Sequence, residues 1–148
     1  MWRTLQRAQI PAMKEPVGIC RSDGKRPDGV TMIPWIRGRC LVWDVTVPDT
    51  LAPSHIAISA QSAGSAAEKA EAAKILKYAR IAETHVFIPL ACETMGGWGT
   101  KCRNFINELG RRCTLVTGEP KEAMYMRQKM SIAIQRGNAI ACRGTIPQ

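Results

Sequence analysis

Residues 39–47 read Arg39-Cys40-Leu41-Val42-Trp43-Asp44-Val45-Thr46-Val47 and predict the central strand of a sheet. Aliphatic and aromatic residues dominate the run, and Pro48 ends it because proline has no backbone N–H to give to a ladder. The run is apolar on both faces, which is typical of a strand covered on two sides. The exceptions are Asp44 and Thr46, which share a face because side chains alternate along a strand. A buried carboxylate at position 44 requires a metal ion or a basic side chain as its partner.

A second strand is predicted just before this one, at Val30-Thr31-Met32-Ile33, with a turn over residues 34–38. The geometry of that turn decides whether Asp28 and Asp44 meet. A tight turn about Arg37-Gly38 would leave them about 10 Å apart along the sheet. A loop of all five residues would oppose the two carboxylates, with their Cβ atoms about 5 Å apart. The proline that opens the loop cannot donate to a ladder, which favours the wider loop and a divalent cation between the carboxylates.

The rest of the chain alternates helices with strands. The pattern predicts an Ala-rich helix over residues 60–82, a buried strand over 85–90, a helix over 101–109 closed by Gly110, a short strand over 112–117, and a last helix over 120–136 stopped by Gly137-Asn138. This order predicts an α/β fold, namely a three-layer α/β/α sandwich with a small mixed central sheet.

We expect one folded domain over residues 25–140, preceded by a loop-rich segment (1–24) and followed by a tail (141–148). The six cysteines form no C-x-x-C pair and stand at no zinc-finger spacing from a histidine. We interpret them as reduced and mostly buried. No apolar run approaches the length of a membrane span, and the first residues do not resemble a signal peptide. The expected location is nuclear or cytoplasmic, not secreted, with no membrane partner.

Charge is unevenly distributed along the 148 residues, whose 21 Lys+Arg and 12 Asp+Glu give a net charge of +9. Residues 1–40 hold eight basic and three acidic residues, residues 41–100 hold four and six, and residues 101–148 hold nine and three. Basic flanks around an acidic middle suit a protein that holds phosphates with cations and a divalent metal with carboxylates. DNA, or RNA, is therefore the expected partner, and the composition excludes wholesale disorder.

Three motifs in order resemble a known superfamily. Arg26-Pro27-Asp28 is followed by a strand, a turn and a strand carrying Asp44-Val45-Thr46-Val47, and then by a helix with Lys74-Ile75-Leu76-Lys77-Tyr78. This arrangement resembles the PD-(D/E)XK nucleases, and more narrowly the restriction-like endonuclease domain of non-LTR retrotransposons. The resemblance covers residues 25–90, under half of the chain.

The resemblance implies a DNA endonuclease that nicks a strand with Mg²⁺ (or Mn²⁺). Asp28 and Asp44 would hold the metal, and Lys74 or Lys77 would orient the attacking water or contact the phosphate. Tyr78 would stack or hydrogen-bond beside them. The superfamily usually has a lysine two residues after the second acid, where this chain has threonine, so that role moves to the helix. The resemblance also implies a larger reverse-transcriptase polyprotein as the context.

Candidate phosphate contacts lie in the basic flanks, at Arg26, Arg37, Arg39, Arg111 and Arg112. Two other functions stay open on sequence alone. An inactive DNA- or RNA-binding remnant of a mobile element would keep the basic residues without the chemistry. An interaction module would present an exposed apolar stripe on residues 60–82.

Each candidate also has a plainer interpretation. Asp28 in Pro-Asp-Gly suits an ordinary turn, and Asp44 suits a buried acid paired with Arg26 or Lys74. Glu68 and Glu71 are interpreted as surface partners of lysines, with Glu68 also a candidate third metal ligand. Glu93 is interpreted as a cap for the helix that follows it.

Overall fold

The structure of the chain is a computed structural model that describes residues 1–19 and 24–145. Its elements are, in chain order, α1 (Trp2–Arg7), β1 (Ala12–Lys14), β2 (Gly29–Ile36), β3 (Arg39–Thr46), α2 (Ile56–Ser59), α3 (Ser65–Lys77), α4 (Ala79–Thr84), β4 (Val86–Ala91), α5 (Thr100–Thr117) and α6 (Glu122–Gly144). None of the helices in these two ranges combines the length and the apolar character needed to cross a membrane.

The described residues form a four-stranded mixed sheet in the order β1-β2-β3-β4. β1 and β2 are antiparallel, as are β2 and β3, whereas β3 and β4 run parallel. A parallel pair needs a long crossover connection, and α2, α3 and α4 supply it. Three of the four strands expected from the sequence are present, and β1 joins them as a short edge strand that the sequence pattern did not predict.

The turn between β2 and β3 is tight at Arg37-Gly38, so the predicted five-residue loop is wrong. Both turn residues have positive φ, 49° and 74°, as two-residue hairpins require. β2 continues through Pro34, but its pairing with β3 shifts on either side of that proline. As a result Gly29 lies opposite Trp43, which is the register that the wider loop predicted at this end of the hairpin. The irregular pairing of β2 therefore produces the same register that a five-residue loop would have produced.

Helices cover both faces of the sheet, which confirms the three-layer sandwich. On one face, Leu41 and Trp43 of β3 pack against α1, α5 and α6 in the main core. On the opposite face, Val42 packs with Tyr78 and Ile81 of the crossover. Because side chains alternate along a strand, Asp44 shares the crossover face with Val42.

The helix boundaries differ from the prediction in the crossover and at the C-terminal end. The helix expected over 60–82 is two helices, α3 and α4, separated at Tyr78. The strand expected over 112–117 is wrong, because α5 continues through Gly110 and ends at Gly118. A Cβ at Gly110 would lie 2.5 Å from Ala123 Cβ, so this glycine lets α5 and α6 approach closely. α6 itself continues to Gly144, past the predicted stop and into the expected tail.

The first described residues belong to the core and are not merely a loop. Leu5, Ala8 and Ile10 are buried in the main cluster, and Trp2 Nε1 donates to the Ala12 carbonyl at 2.8 Å. The cysteines in the described ranges are free thiols, and Cys92, Cys102 and Cys113 among them are buried, in agreement with the prediction.

Candidate functional site

Asp44 lies at the centre of a polar cluster between β3 and the crossover helices. Its side chain is only 5 % exposed, inside a strand that is otherwise apolar at this point. Lys74 Nζ forms an ion pair with Asp44 Oδ2, and the Tyr78 hydroxyl donates to Asp44 Oδ1 at 2.9 Å. Both carboxylate oxygens of this buried acid are therefore engaged by α3 and the residue that follows it.

Contacts at the aromatic ring and at the hydroxyl group fix the position of Tyr78. It is 2 % exposed, and its ring stacks on Phe87 of β4 with 4.5 Å between the ring centroids. Its hydroxyl also lies 3.5 Å from the Arg26 carbonyl oxygen. The phenol thus joins the motif that precedes β2 to the carboxylate on β3.

Asp28 sits across the strand pair from Asp44. Its backbone N–H donates to the Trp43 carbonyl at 3.1 Å, and its Oδ2 accepts from the Val45 N–H at 2.6 Å. These two bonds bracket Asp44 on the neighbouring strand. Asp28 is exposed, so of the two carboxylates one faces solvent and one is buried.

The two candidate lysines differ in what they reach. The side chain of Lys74 is 24 % exposed and contacts Asp44, whereas Lys77 is an exposed residue of the same helix. The structure thus brings together Asp28, Asp44, Lys74 and Tyr78. Lys77 is exposed, and its side chain is not among the contacts of this cluster.

Of three further candidate phosphate contacts, Arg26 adjoins this cluster, whereas Arg37 and Arg39 lie at the opposite end of β3 from Asp44. Arg26 directly precedes Pro27-Asp28, and its Nη1 lies 3.4 Å from the Glu15 carbonyl oxygen. Arg39 begins β3 and donates to the Ala82 carbonyl at 3.2 Å, and Arg37 is exposed in the hairpin turn. All three present positive charge to solvent.

Arg111 and Arg112 are engaged within the fold. Both donate to Glu108, at 2.8 to 2.9 Å, and Arg112 also lies 3.7 Å from the Trp35 ring centroid. The Arg111 hydrogen bonds, followed by those of Arg112, lower the pKa of Glu108 to about 2. Glu108 therefore occupies the two guanidinium groups that the sequence suggested for phosphate.

Two buried glutamates were misassigned by the sequence analysis. Glu71 is not a surface residue, because it is 4 % exposed and accepts from the N–H groups of Lys101 and Cys102 at the start of α5. Glu93 does not cap the helix that follows it, because it accepts from Ala66 and Ala67 at the start of α3. These carboxylates satisfy helix N-termini that would otherwise be buried without partners.

A weak signal for this arrangement was present in the sequence. α3 and α5 both begin after a glycine, Gly64 and Gly99, and glycine has no side chain that can cap a helix. The partner had to come from elsewhere in the chain. Glu68, the candidate third metal ligand, accepts from Thr100 Oγ1 at 2.8 Å and is thus also directed toward α5.

Burial raises the pKa of Glu71 above its ordinary value, and the N–H groups of Cys102 and Lys101 offset this only in part. The native state then keeps the proton to a higher pH than the unfolded chain does. Stability is therefore expected to fall as the pH rises from the ordinary glutamate range through the raised pKa. Thermal unfolding measured from about pH 4 to pH 7 checks this, with Glu71→Gln expected to flatten the fall. Glu83→Gln, at an exposed site, should leave the slope unchanged, and a slope that survives in Glu71→Gln would contradict the assignment.

Comparison with known proteins assigns no family to this cluster. The chain matches no model of a known protein family and no curated protein. The geometry around Asp44 is the basis on which a function can be inferred.

Proposed function

We propose that this chain is a metal-dependent DNA endonuclease whose site is formed by Asp28, Asp44, Lys74 and Tyr78. One observation carries the proposal: Asp28, directly before β2, bonds to the backbone on either side of Asp44, and a lysine and a tyrosine converge on the buried Asp44 carboxylate. Ordinary turn and core residues do not require this combination.

The carboxylates suit a hard divalent cation. Mg²⁺ is held by one or two carboxylates and keeps several waters, so two aspartates are a sufficient protein contribution. Within residues 1–19 and 24–145, no group of three or more His, Cys, Asp or Glu side chains comes together. A cation at Asp28 and Asp44 would thus take two protein carboxylates, with waters and a phosphate oxygen completing its coordination.

The protein groups have separable roles in this proposal. A bound cation would lower the pKa of a coordinated water and offset negative charge on the phosphate. Tyr78 fixes the orientation of Asp44, and the Val45 N–H fixes that of Asp28. Lys74 lies at the boundary between the buried acid and solvent, where its ammonium group would donate to a water or to a phosphate oxygen.

DNA is the proposed substrate because exposed cations adjoin the cluster. Arg26 and Lys77 lie close in the chain to Asp28 and Tyr78, and their charges are available to phosphates. The basic flanks of the sequence supply further positive charge for a polyanion.

A second candidate is the inactive nucleic-acid-binding remnant. The Lys74–Asp44 ion pair favours it, since that pair neutralises the buried acid without a metal. The interaction module finds less support. The exposed large apolar side chains within residues 60–82 are Ile75 and Leu76, which are adjacent and so cannot form a stripe along one helix face.

Nicking of supercoiled plasmid distinguishes the two candidates. We expect the wild-type protein to convert plasmid to open circles in Mg²⁺ and not in EDTA. Asp28→Asn keeps the shape of the side chain but removes its charge, and should lower the nicking rate by at least about 100-fold.

Glu83→Gln is the matched control, because it removes one negative charge from an exposed position of α4. It should nick as the wild type does. Cleavage that persists in EDTA, or an equal loss in both variants, would contradict the proposal. DNA binding without nicking by the wild type would identify the remnant.

A further inference from the structure

A cleft separate from the Asp44 cluster lies beyond the carboxyl end of β4, which runs parallel to β3. Its volume is about 510 Å³, and its walls come from residues 96–98 after β4, from Ala63 before α3, and from α5 and α6. In open α/β sheets, ligands bind outside the carboxyl ends of the strands. The position of this cleft is therefore typical of a binding site.

Two arginines line the cleft, and the buried Glu93 carboxylate lies behind its wall, where a Cβ on Gly97 would be 2.6 Å from Glu93 Oε2. Arg103 and Arg127 line it, both exposed, and no acidic residue is among its described lining. Arg103 donates to the Trp98 carbonyl at 3.3 Å, and Arg127 donates to Asn107 Oδ1. Neither guanidinium forms a salt bridge within the described ranges, in contrast to Arg111 and Arg112. An anion is the ligand that two such groups favour.

Trp98 lines the cleft with the two arginines, and its side chain also packs against the main core. Trp98 is half-buried, and its backbone is anchored by a bridge to Cys92. Gly64, with φ of 91°, packs directly against the Trp98 carbonyl, where a Cβ would lie 2.9 Å from the oxygen. The ring is thus held on a fixed backbone beside two guanidinium groups. Nucleobases stack on such aromatic side chains while cations contact the backbone phosphates.

We propose that this cleft binds a segment of single-stranded nucleic acid, with phosphates on Arg103 and Arg127 and a base on Trp98. The inference rests on the proposed function for its nucleic-acid partner, but not on cleavage. α3 connects the two sites, since Ala63 precedes its first turn and Lys74 contacts Asp44. A helix rise of 1.5 Å per residue separates Ala63 and Lys74 by about 16 Å along the helix axis. A strand held in the cleft would therefore position DNA at a fixed distance from Asp44.

Fluorescence anisotropy in EDTA, where no metal-dependent cleavage takes place, tests the cleft by itself. The probes are a twelve-residue oligothymidylate, a twelve-residue glutamate peptide and thymidine monophosphate. We expect Arg103→Gln with Arg127→Gln to weaken oligothymidylate binding about tenfold and to reduce the salt slope by about 1.4. Arg136→Gln with Arg143→Gln removes the same charge from exposed positions of α6 outside the cleft and should have less than half that effect on the logarithm of affinity.

Trp98→Leu should weaken the oligothymidylate about tenfold while Trp98→Phe restores most of the affinity. Thermal unfolding of each variant identifies any loss of binding that is due to misfolding. If Trp98→Leu is unstable, the Arg103→Gln/Arg127→Gln variant provides the test. The proposal is overturned if the two arginine pairs have equal effects. It is also overturned if the glutamate peptide or the mononucleotide binds as tightly as the oligothymidylate. If the cleft passes these tests but the protein does not nick plasmid, the cleft proposal holds and the endonuclease proposal is wrong.

Discussion

Replacing Lys74 with methionine is expected to destabilise the fold by about 3 kcal/mol, and adding Asp44→Asn should recover most of that loss. Lys74→Met leaves the carboxylate of Asp44 buried, 5 % exposed, without its ion-pair partner. Removing one member of a buried pair is costly because the remaining charge is desolvated and uncompensated. A neutral asparagine in the double variant removes that charge and still accepts from Tyr78.

The measurement is urea unfolding of the two single variants, the double variant and the wild type. Lys77→Met is the matched control, because it removes the same charge three residues along α3 from an exposed position. It should change stability by less than about 0.5 kcal/mol. A double variant as unstable as the sum of the single variants would show that the two side chains act independently.

The same variants separate stability from chemistry. Asp44→Asn is expected to abolish Mg²⁺-dependent nicking even where the double variant folds well, since asparagine cannot replace a charged metal ligand. Lys74→Met in the same assay tests whether this lysine acts in cleavage, and Lys77→Met tests the alternative lysine. If the double variant regains stability and the wild type never nicks, the pair is structural and the remnant is the better description.

The sequence could predict those parts of the site in which a single charged residue stands in an apolar segment. An aspartate inside an apolar strand demands a partner, and Lys74 was one of the candidates that the helix offered. Tyr78, by contrast, was a candidate only through the resemblance to the PD-(D/E)XK nucleases. The inferences on Asp44 and Lys74 need only local periodicity and the cost of burying a charge.

Other features could not be predicted because they depend on contacts between distant segments. The register between Gly29 and Trp43 was predicted, but its cause was not: it results from irregular pairing around Pro34, which residue spacing alone does not reveal. The roles of Glu71 and Glu93 depend on which helix N-termini lie beside them in the folded chain. Gly110 likewise suggests a helix end until α6 is known to pack against it.

Gly29→Ala is expected to destabilise the protein by about 3 kcal/mol, although it adds a single methyl group. A Cβ at this position would overlap the Trp43 indole, which is 2 % exposed and belongs to the main core. Either β2 or the buried indole would have to shift to accommodate the methyl group. Because Gly29 follows Asp28 directly, any shift of β2 would also move that carboxylate relative to Asp44. We therefore expect nicking to decline together with stability in this variant.

Gly137→Ala provides the opposite case within the same chain. This glycine lies inside α6, and a Cβ there would meet no atom within 4 Å outside its own helix. Alanine is the better helix former, so the variant should be more stable by up to about 1 kcal/mol, with nicking unchanged. Urea unfolding of the two variants beside the wild type checks both signs. Equal and small effects at the two glycines would mean that Trp43 can yield, and that the hairpin does not fix the position of Asp28 as tightly as its contacts indicate.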